Sequence, residues 1–253
     1  MLDDFTPVLH KLPGRTIKVW AVADVHIGAK EADVDGFERF LRGIERSQDD
    51  YLVLCGDVLN NGIRDSVTNV YEETMPPHAQ VETAARLLEP VADKILGCVG
   101  GNHERRSVKA VDMDPMFQVM TLIRKPELYR PNLCFVRVTL AKGNTKDQYA
   151  LLLVHGKTAN KKRWFDLAVE GVDAIIGAHL HDGNVSKPTK LIFTTQNRVV
   201  VKPFVSLTAT SWLNYGGYAA AGLLLPKATS DPQCLVLEFS NSNNRSGNIR
   251  VSW

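Results

Sequence analysis

"YLVLCGD", residues 51–57, is an unbroken apolar run that stops at Gly56-Asp57. An alternating pattern would mark a strand with one wet face. An unbroken one suits a strand covered on both faces, as in the parallel sheets of α/β proteins. Two neighbouring stretches repeat the theme. "TIKVWAVADVH" (16–26) is a β-rich run that ends in Asp24 and His26, and "ILGCVGGNHERR" (95–106) is an apolar run followed by a polar turn. Between the first two lies "VDGFERFLRGIERS" (34–47), with Phe37, Phe40, Leu41 and Ile44 on one helical face. Between the second and third lies "HAQVETAARLLEPVADK" (78–94), with Val81, Ala84, Ala85 and Leu88 on one side and Pro90 placed to kink or end the helix. The order strand, helix, strand, helix, strand implies parallel strands joined by right-handed crossovers.

The later half is richer in strand patterns: "LCFVRVTL", "QYALLLVHG", "VDAIIGAH", "KLIFTT", "RVVVKPFVSLTA", "CLVLEF" and "NIRVSW". One helix is expected near "KKRWFDLAVEG", and hairpin turns at "AKGNTKDQ" and "SNSNNRSGN". There is no tandem repeat and no low-complexity linker. The expected fold is α/β, a single domain over residues 1–253 with two facing mixed β-sheets flanked by helices.

The chain has 253 residues, 44% of them hydrophobic, enough to build a substantial core. Its formal net charge of +2 places no global demand for a nucleic-acid or membrane partner, so any basic preference is local. Cys55, Cys98, Cys134 and Cys234 form no CxxC pair, and three lie in apolar runs, so they read as reduced core thiols. The N-terminal "MLDDFTPVLHKLPG" is acidic and interrupted by proline, unlike a signal peptide. No apolar run reaches the ~20 residues of a membrane span. A soluble, cytoplasmic protein is the expectation.

Residues able to bind metals recur just after apolar strands. Asp24 and His26 follow "VWAVA"; Asp57 follows "YLVLCG"; Asn102, His103 and Glu104 follow "ILGCVGG". His155 follows "ALLLV", and His179 and His181 follow "AIIGA". Singly, each is ordinary: Asp-x-His is a common turn, Gly-Asp a common loop start. Together they are not, because parallel strands gather such ends on one edge, where α/β proteins bind ligands.

The order DxH, GD, GNHE, HG, HxH resembles the calcineurin-like metallophosphoesterases over roughly residues 17–182. The loop "GDVLNNGIRDSVTNVYEETMPPHAQ", with "GNHERR" and "SWLNYGGYA", resembles a narrower branch found in bacteriophages and their hosts, which implies a phage-encoded protein of a bacterial cytoplasm as one origin. One departure stands out: the last motif of the family has glycine directly before the first histidine, whereas here Ala178 separates Gly177 from His179.

The resemblance implies two divalent metal ions, Mn²⁺ ahead of Fe or Zn²⁺, since mixed N/O donors without cysteine disfavour a structural zinc. One ion would take Asp24, His26, Asp57 and His181. The other would take Asp57, Asn102, His155 and His179, with Asp57 as the bridge. The pair would lower the pKa of a shared water and stabilise an in-line transition state. His103 is the implied general acid, oriented by Asp24 or Glu104, or alternatively a group that only orients the site. Glu104 could instead pair with an arginine. His179 and His181 would each reach a different ion, with Leu180 turned into apolar packing.

Arg64, Arg105 and Arg106, with Lys157, Lys161, Lys162 and Arg163, are candidates for holding a phosphate; the plain alternative is solvated surface charge. Trp212, Tyr215 and Tyr218 form either a wall for stacking bases or a packed loop closing the second sheet, and Tyr71 poses the same choice. The expected function is a phosphodiesterase or nuclease acting on DNA, RNA or nucleotides. The alternatives are a phosphomonoesterase and a non-catalytic metal-binding scaffold for a protein partner. A lipid-cleaving role is disfavoured, since no basic amphipathic helix is evident. Nothing in the sequence marks an oligomer interface.

Overall fold

The apolar run at residues 51–57 occupies the place its composition demands. In the computed structural model β3 (Asp50–Cys55) lies between β2 (Thr16–Val22) and β4 (Ile95–Val99), parallel to both. Five of its six residues are buried, because helices cover one face and a second sheet the other. The structure describes residues 4–14, 16–64, 66, 70–142, 145–156, 169–193, 195–214, 232, 234–238 and 249–252. The helix expected near "KKRWFDLAVEG", Lys157, Lys161, Lys162, Arg163, Tyr215, Tyr218 and the "SNSNNRSGN" turn lie largely or wholly outside these residues.

The first sheet has the order β14-β13-β2-β3-β4-β5, with β5 (Tyr129–Arg130), β13 (Cys234–Glu238) and β14 (Ile249–Ser252). Its β2–β5 part is parallel, and β13 and β14 add antiparallel strands at one side. The second sheet has the order β1-β6-β7-β8-β12-β9. It comprises β1 (Val8–Leu12), β6 (Leu133–Lys142), β7 (Thr145–Val154), β8 (Ala174–Gly177), β9 (Val185–Ser186) and β12 (Val205–Thr208). Strands β7, β8 and β12 are parallel. β6 and β7 pair antiparallel out to Lys142 and Thr145, as the hairpin expectation required. A separate two-stranded ribbon is formed by β10 (Thr189–Phe193) and β11 (Val199–Pro203).

The sheets face each other closely. A Cβ placed on Gly97, in the middle of β4, would lie 2.7 Å from Val136 Cγ2 and 3.1 Å from Cys134 Sγ on β6. One apolar core therefore contains residues of both, such as Leu52, Val53 and Leu54 with Val136, Leu151 and Leu153. All four cysteines are free and buried.

Helix α1 (Val34–Arg46) buries Phe37, Leu41 and Ile44, the apolar stripe of its sequence, and Asp33 caps it by accepting from the Gly36 amide. Helix α2 (Pro77–Leu88) stops before Pro90, and a 3₁₀ stretch, Glu89–Lys94, continues to β4. Five helices and strands go beyond the sequence expectations: β1, α3 (Glu104–Val111), α4 (Pro115–Leu122) and the two-residue strands β5 and β9. The single run "RVVVKPFVSLTA" becomes two strands, since the chain leaves the ribbon after Pro203 and enters the second sheet at Val205. Among the described residues no helix is long and apolar enough to cross a membrane.

Candidate active site

Five strand ends converge where the C-terminal edges of the two sheets meet. The loops after β2, β3 and β4 carry Asp24 and His26, Asp57, and Asn102 and His103; those after β7 and β8 carry His155, and His179 and His181. Ladder-like hydrogen bonds continue past the strands: the amides of Asp24, His26 and Ile27 donate to the carbonyls of Gly56, Asp57 and Val58. Asp24, His26, Asp57, His179 and His181 all have left-handed backbone, with φ of 51°, 53°, 50°, 75° and 56°. This conformation costs an ordinary L-residue about 1–2 kcal/mol, and Asp and His are among the types that tolerate it. It turns each side chain sideways as the chain leaves its strand.

Two glycines set how closely the loops approach. A Cβ on Gly101 would lie 2.1 Å from Asp57 Oδ1, and one on Gly56, itself at φ +85°, would lie 2.7 Å from Gly101 Cα. The Gly-Asp and Gly-Gly-Asn-His turns therefore fit only against each other's missing side chains.

Donor atoms gather in three overlapping groups, each within 4.8 Å: Asp24, His26 and His181; His26, Asp57 and His103; and Asp57, His155 and His179. His181 Nε2 lies 3.1 Å from Asp24 Oδ1, and His155 Nε2 lies 3.1 Å from Asp57 Oδ2. Asn102 Oδ1 is 2.9 Å from His155 Nε2, which brings the carboxamide into the third group. Asp57 Oδ1 accepts from the His103 amide at 2.8 Å, and Asp24 Oδ2 from the His179 amide at 3.0 Å. Leu180, between the two histidines, is buried.

The electrostatics follow from this packing. Burial alone would raise the Asp57 carboxyl, but His155, then His103 and His26, hold it well below the usual carboxylate range. Burial would likewise lower His155, yet Asp57 outweighs it and pushes the imidazole up to about 9. At His26 the balance tips the other way: burial, then His103, outweigh Asp57 and Asp24 and lower it to about 3, so it is a neutral base.

His103 is oriented by groups other than the expected Asp24 or Glu104. Its Nδ1 lies 2.7 Å from the Asn60 carbonyl, and its Nε2 lies 3.0 Å from Arg106 Nη2. A carbonyl can only accept and a guanidinium only donate. Nδ1 therefore carries the proton and Nε2 offers its lone pair. Arg106 also donates to the same Asn60 carbonyl at 3.0 Å. Among the described residues Glu104 neither orients His103 nor forms an ion pair with an arginine. It accepts from the amides of Asp57, Leu59 and Gly101 at 3.1, 3.0 and 2.9 Å, tying two loops together. A buried network completes the support. Asn61 Nδ2 donates to the His103 carbonyl, Ser107 to Asn61 Oδ1, and Gln80 accepts from the Asn61 amide while donating to Glu73. Sequence reasoning missed Asn60, Asn61 and Gln80. The signal available was the polar pair "NN" just beyond Gly56-Asp57, in a position otherwise apolar.

The three arginines separate. Arg106 is at His103; Arg105 turns away to the Pro131 carbonyl and Asn132 Oδ1; Arg64 is exposed in the loop after β3. Trp212 is packed edge-on against Phe37 at 5.1 Å and beside Phe40, and its backbone bridges Asp24 and Asp33. It clamps α1 and the β2 loop, in accord with the packed-loop alternative for this residue.

The donor set suits divalent cations. It mixes carboxylate, imidazole and carboxamide, without thiolate. Both ring nitrogens of His26 are buried without a hydrogen-bond partner among the described residues, a costly state that a cation beside Nε2 would relieve.

Comparison with known proteins agrees with this geometry. A family model described as calcineurin-like phosphoesterase matches residues 17–183. A segment of 126 residues is 29% identical to the DNA polymerase II small subunit of Thermoplasma acidophilum, covering 47% of this chain and 25% of that protein. The match thus spans a quarter of the length of this curated relative. Among solved structures, the Haemophilus influenzae NAD nucleotidase NadN aligns at a TM-score of 0.50 and 8% identity over 94% of this chain and 49% of that one. The Bacillus subtilis calcineurin-like phosphoesterase YfkN aligns at a TM-score of 0.47 and 12% identity over 94% and 90%. At such identity the NadN likeness is one of fold.

Proposed function

The chain belongs to the calcineurin-like phosphoesterase family, and from that premise we propose that it is a dinuclear-metal-dependent phosphodiesterase acting on nucleic acid or nucleotides. The observation that carries this reading is the pair of donor groups, Asp24–His26–His181 and Asp57–His155–His179, joined through His26, Asp57 and His103. Asp24, His26, Asp57 and His181 would hold one ion; Asp57, Asn102, His155 and His179 would hold the other. When bound, two divalent cations, Mn²⁺ ahead of Fe or Zn²⁺, supply Lewis acidity to a water nucleophile and to the phosphoryl oxygens.

The chain's own groups do the rest. His155 donates from Nδ1 to the Cys55 carbonyl at 2.8 Å, which fixes its ring and leaves Nε2 for the ion. His103 is held at Nδ1 by Asn60, so Nε2 is the atom that first takes up a proton from solvent and then delivers it to the leaving oxygen. Arg106 occupies that Nε2 in the free protein. A substrate phosphate that draws the guanidinium onto itself frees Nε2 at the moment it is needed. Arg106 is therefore the phosphate-holding residue, ahead of Arg105 and Arg64. Support for nucleic acid comes from the archaeal relative, by name a subunit of a DNA polymerase.

The test is hydrolysis of paired chromogenic diester and monoester substrates after chelation and Mn²⁺ readdition. Diester turnover should return with Mn²⁺ and fall roughly 10²–10⁴-fold in His103→Ala with metal content unchanged. Monoester preference would redirect the reading to a phosphatase. Two bound metals with no turnover of either ester would make the protein a scaffold.

A further inference from the structure

The ribbon β10–β11 stands apart from both six-stranded sheets. Its register pairs Leu191 with Val201 and Phe193 with Val199, so these four side chains share one face. They are exposed to 75%, 60%, 72% and 65%. The alternate face is turned toward the body: Ile192 and Val200 are only 37% and 41% exposed, and Lys202, of the same parity as Val200, binds Asp173 Oδ1 at 2.7 Å. The ribbon base is fixed by the Phe204 amide on the Pro188 carbonyl at 3.0 Å. A two-stranded ribbon is marginal by itself in water, and one anchored with an apolar face outward is stabilised by whatever covers that face.

We propose that the covering element is the same ribbon of a second copy of this chain, making the protein a two-fold dimer. Two observations favour that occupant. The shape of the quartet is self-complementary. Each rung pairs one larger residue with a valine, so a two-fold axis running along the ribbon lays Leu191 over the partner's Val201 and Phe193 over the partner's Val199. The area suffices. At ~150–250 Å² for a large fully exposed side chain, the quartet offers roughly 500 Å². Two copies then remove about 1,000 Å², the threshold of a specific interface. Only the short strand β9 separates the ribbon from the loop that carries His179 and His181, so the interface would lie close to the donor cluster in sequence.

Sedimentation velocity of the full chain over a concentration series tests this. A reversible dimer is expected, and Leu191→Asp or Val201→Asp should weaken self-association at least ~10-fold, as loss of a central apolar contact does. Circular dichroism should not change, because the residues are exposed, and the thermal midpoint should equal that of the unaltered chain diluted to monomer. A second arm mixes the single variants Phe193→Cys and Val199→Cys under mild oxidation. A disulfide between chains should form in the mixture and not in either variant alone, the four native thiols being buried. A chain that stays monomeric at every concentration overturns the proposal, as does a dimer indifferent to both aspartates. Monomer that cosediments with anionic phosphatidylglycerol vesicles would assign the face to lipid and equally overturn it.

Discussion

On one side of the donor cluster His155 is engaged at both ring nitrogens, by the Cys55 carbonyl at Nδ1 and by Asp57 and Asn102 at Nε2. On the other side His26 is just as buried, yet among the described residues neither of its nitrogens has a hydrogen-bond partner. The first half is assembled by the protein alone. The second half is shaped but unsatisfied, so it gains more from a cation. The difference teaches that the two ions should not load alike. The His155 side offers a preformed site that must first give up a proton; the His26 side offers a neutral base ready to ligate.

Breaking what the halves share should have the largest effect. Asp57→Asn removes the carboxylate proposed to serve both ions and should cost at least ~100-fold in metal affinity, more than the loss of a group that merely orients a ligand. Metal analysis after dialysis should find less than one ion per chain; two retained ions would refute the shared role. Next come the apolar replacements, compared by urea unfolding of chelated protein. His155→Leu breaks a buried charged pair and should destabilise by about 3–5 kcal/mol. His26→Leu removes an orphaned imidazole and should be neutral within about 1 kcal/mol or stabilising. Equal losses would erase the distinction between the halves. A smaller effect is expected at the rim, where Arg106→Ala should lower kcat/KM by roughly 10–100-fold, the worth of a charge-assisted hydrogen bond. Arg105→Ala, directed at Pro131 and Asn132, should leave it nearly unchanged.

The smallest and most discriminating prediction concerns pH. His26 is lowered to about 3 from an ordinary 6.5, so the unfolded chain binds its proton first and stability falls as pH drops from about 6.5 toward 3. His155 is raised to about 9, so its contribution is complete below 6.5 and is lost as pH rises through 9. In metal-free protein His26→Leu should flatten the acid limb of the stability profile and His155→Leu the alkaline limb. Both variants altering one limb would contradict the assignment.

The cluster was legible because its parts announce themselves locally: an apolar run states where a strand ends, and a polar residue there is conspicuous. The supports were not, because their roles depend on distant partners. Glu104 sits in the conspicuous turn, but nothing nearby in sequence reveals that it serves the amides of Asp57 and Leu59. Gln80 looks like an ordinary polar residue of α2 and is fully buried. Helix α3 has no apolar stripe, its buried residues being Glu104 and Ser107, so periodicity could not find it. Helix α4 did carry a signal, Asp114-Pro115, a capping side chain before a first-turn proline. Strand β1 buries only Val8 and pairs with Val136 far along the chain, so its short sequence carries little pattern. Pro203 was the overlooked stop within "RVVVKPFVSLTA".

The left-handed backbone at Asp24, His26, Asp57, His179 and His181 reaches beyond ligand chemistry into how this sequence can drift. At each of these positions a β-branched newcomer is rejected by the main chain before its side chain is tested for any task. Asparagine and glycine are admitted. Neutral variation at these five sites therefore runs through a narrow gate of residue types, and lineages that abandon the chemistry should still keep Asn, Asp or Gly there as a record of the turns.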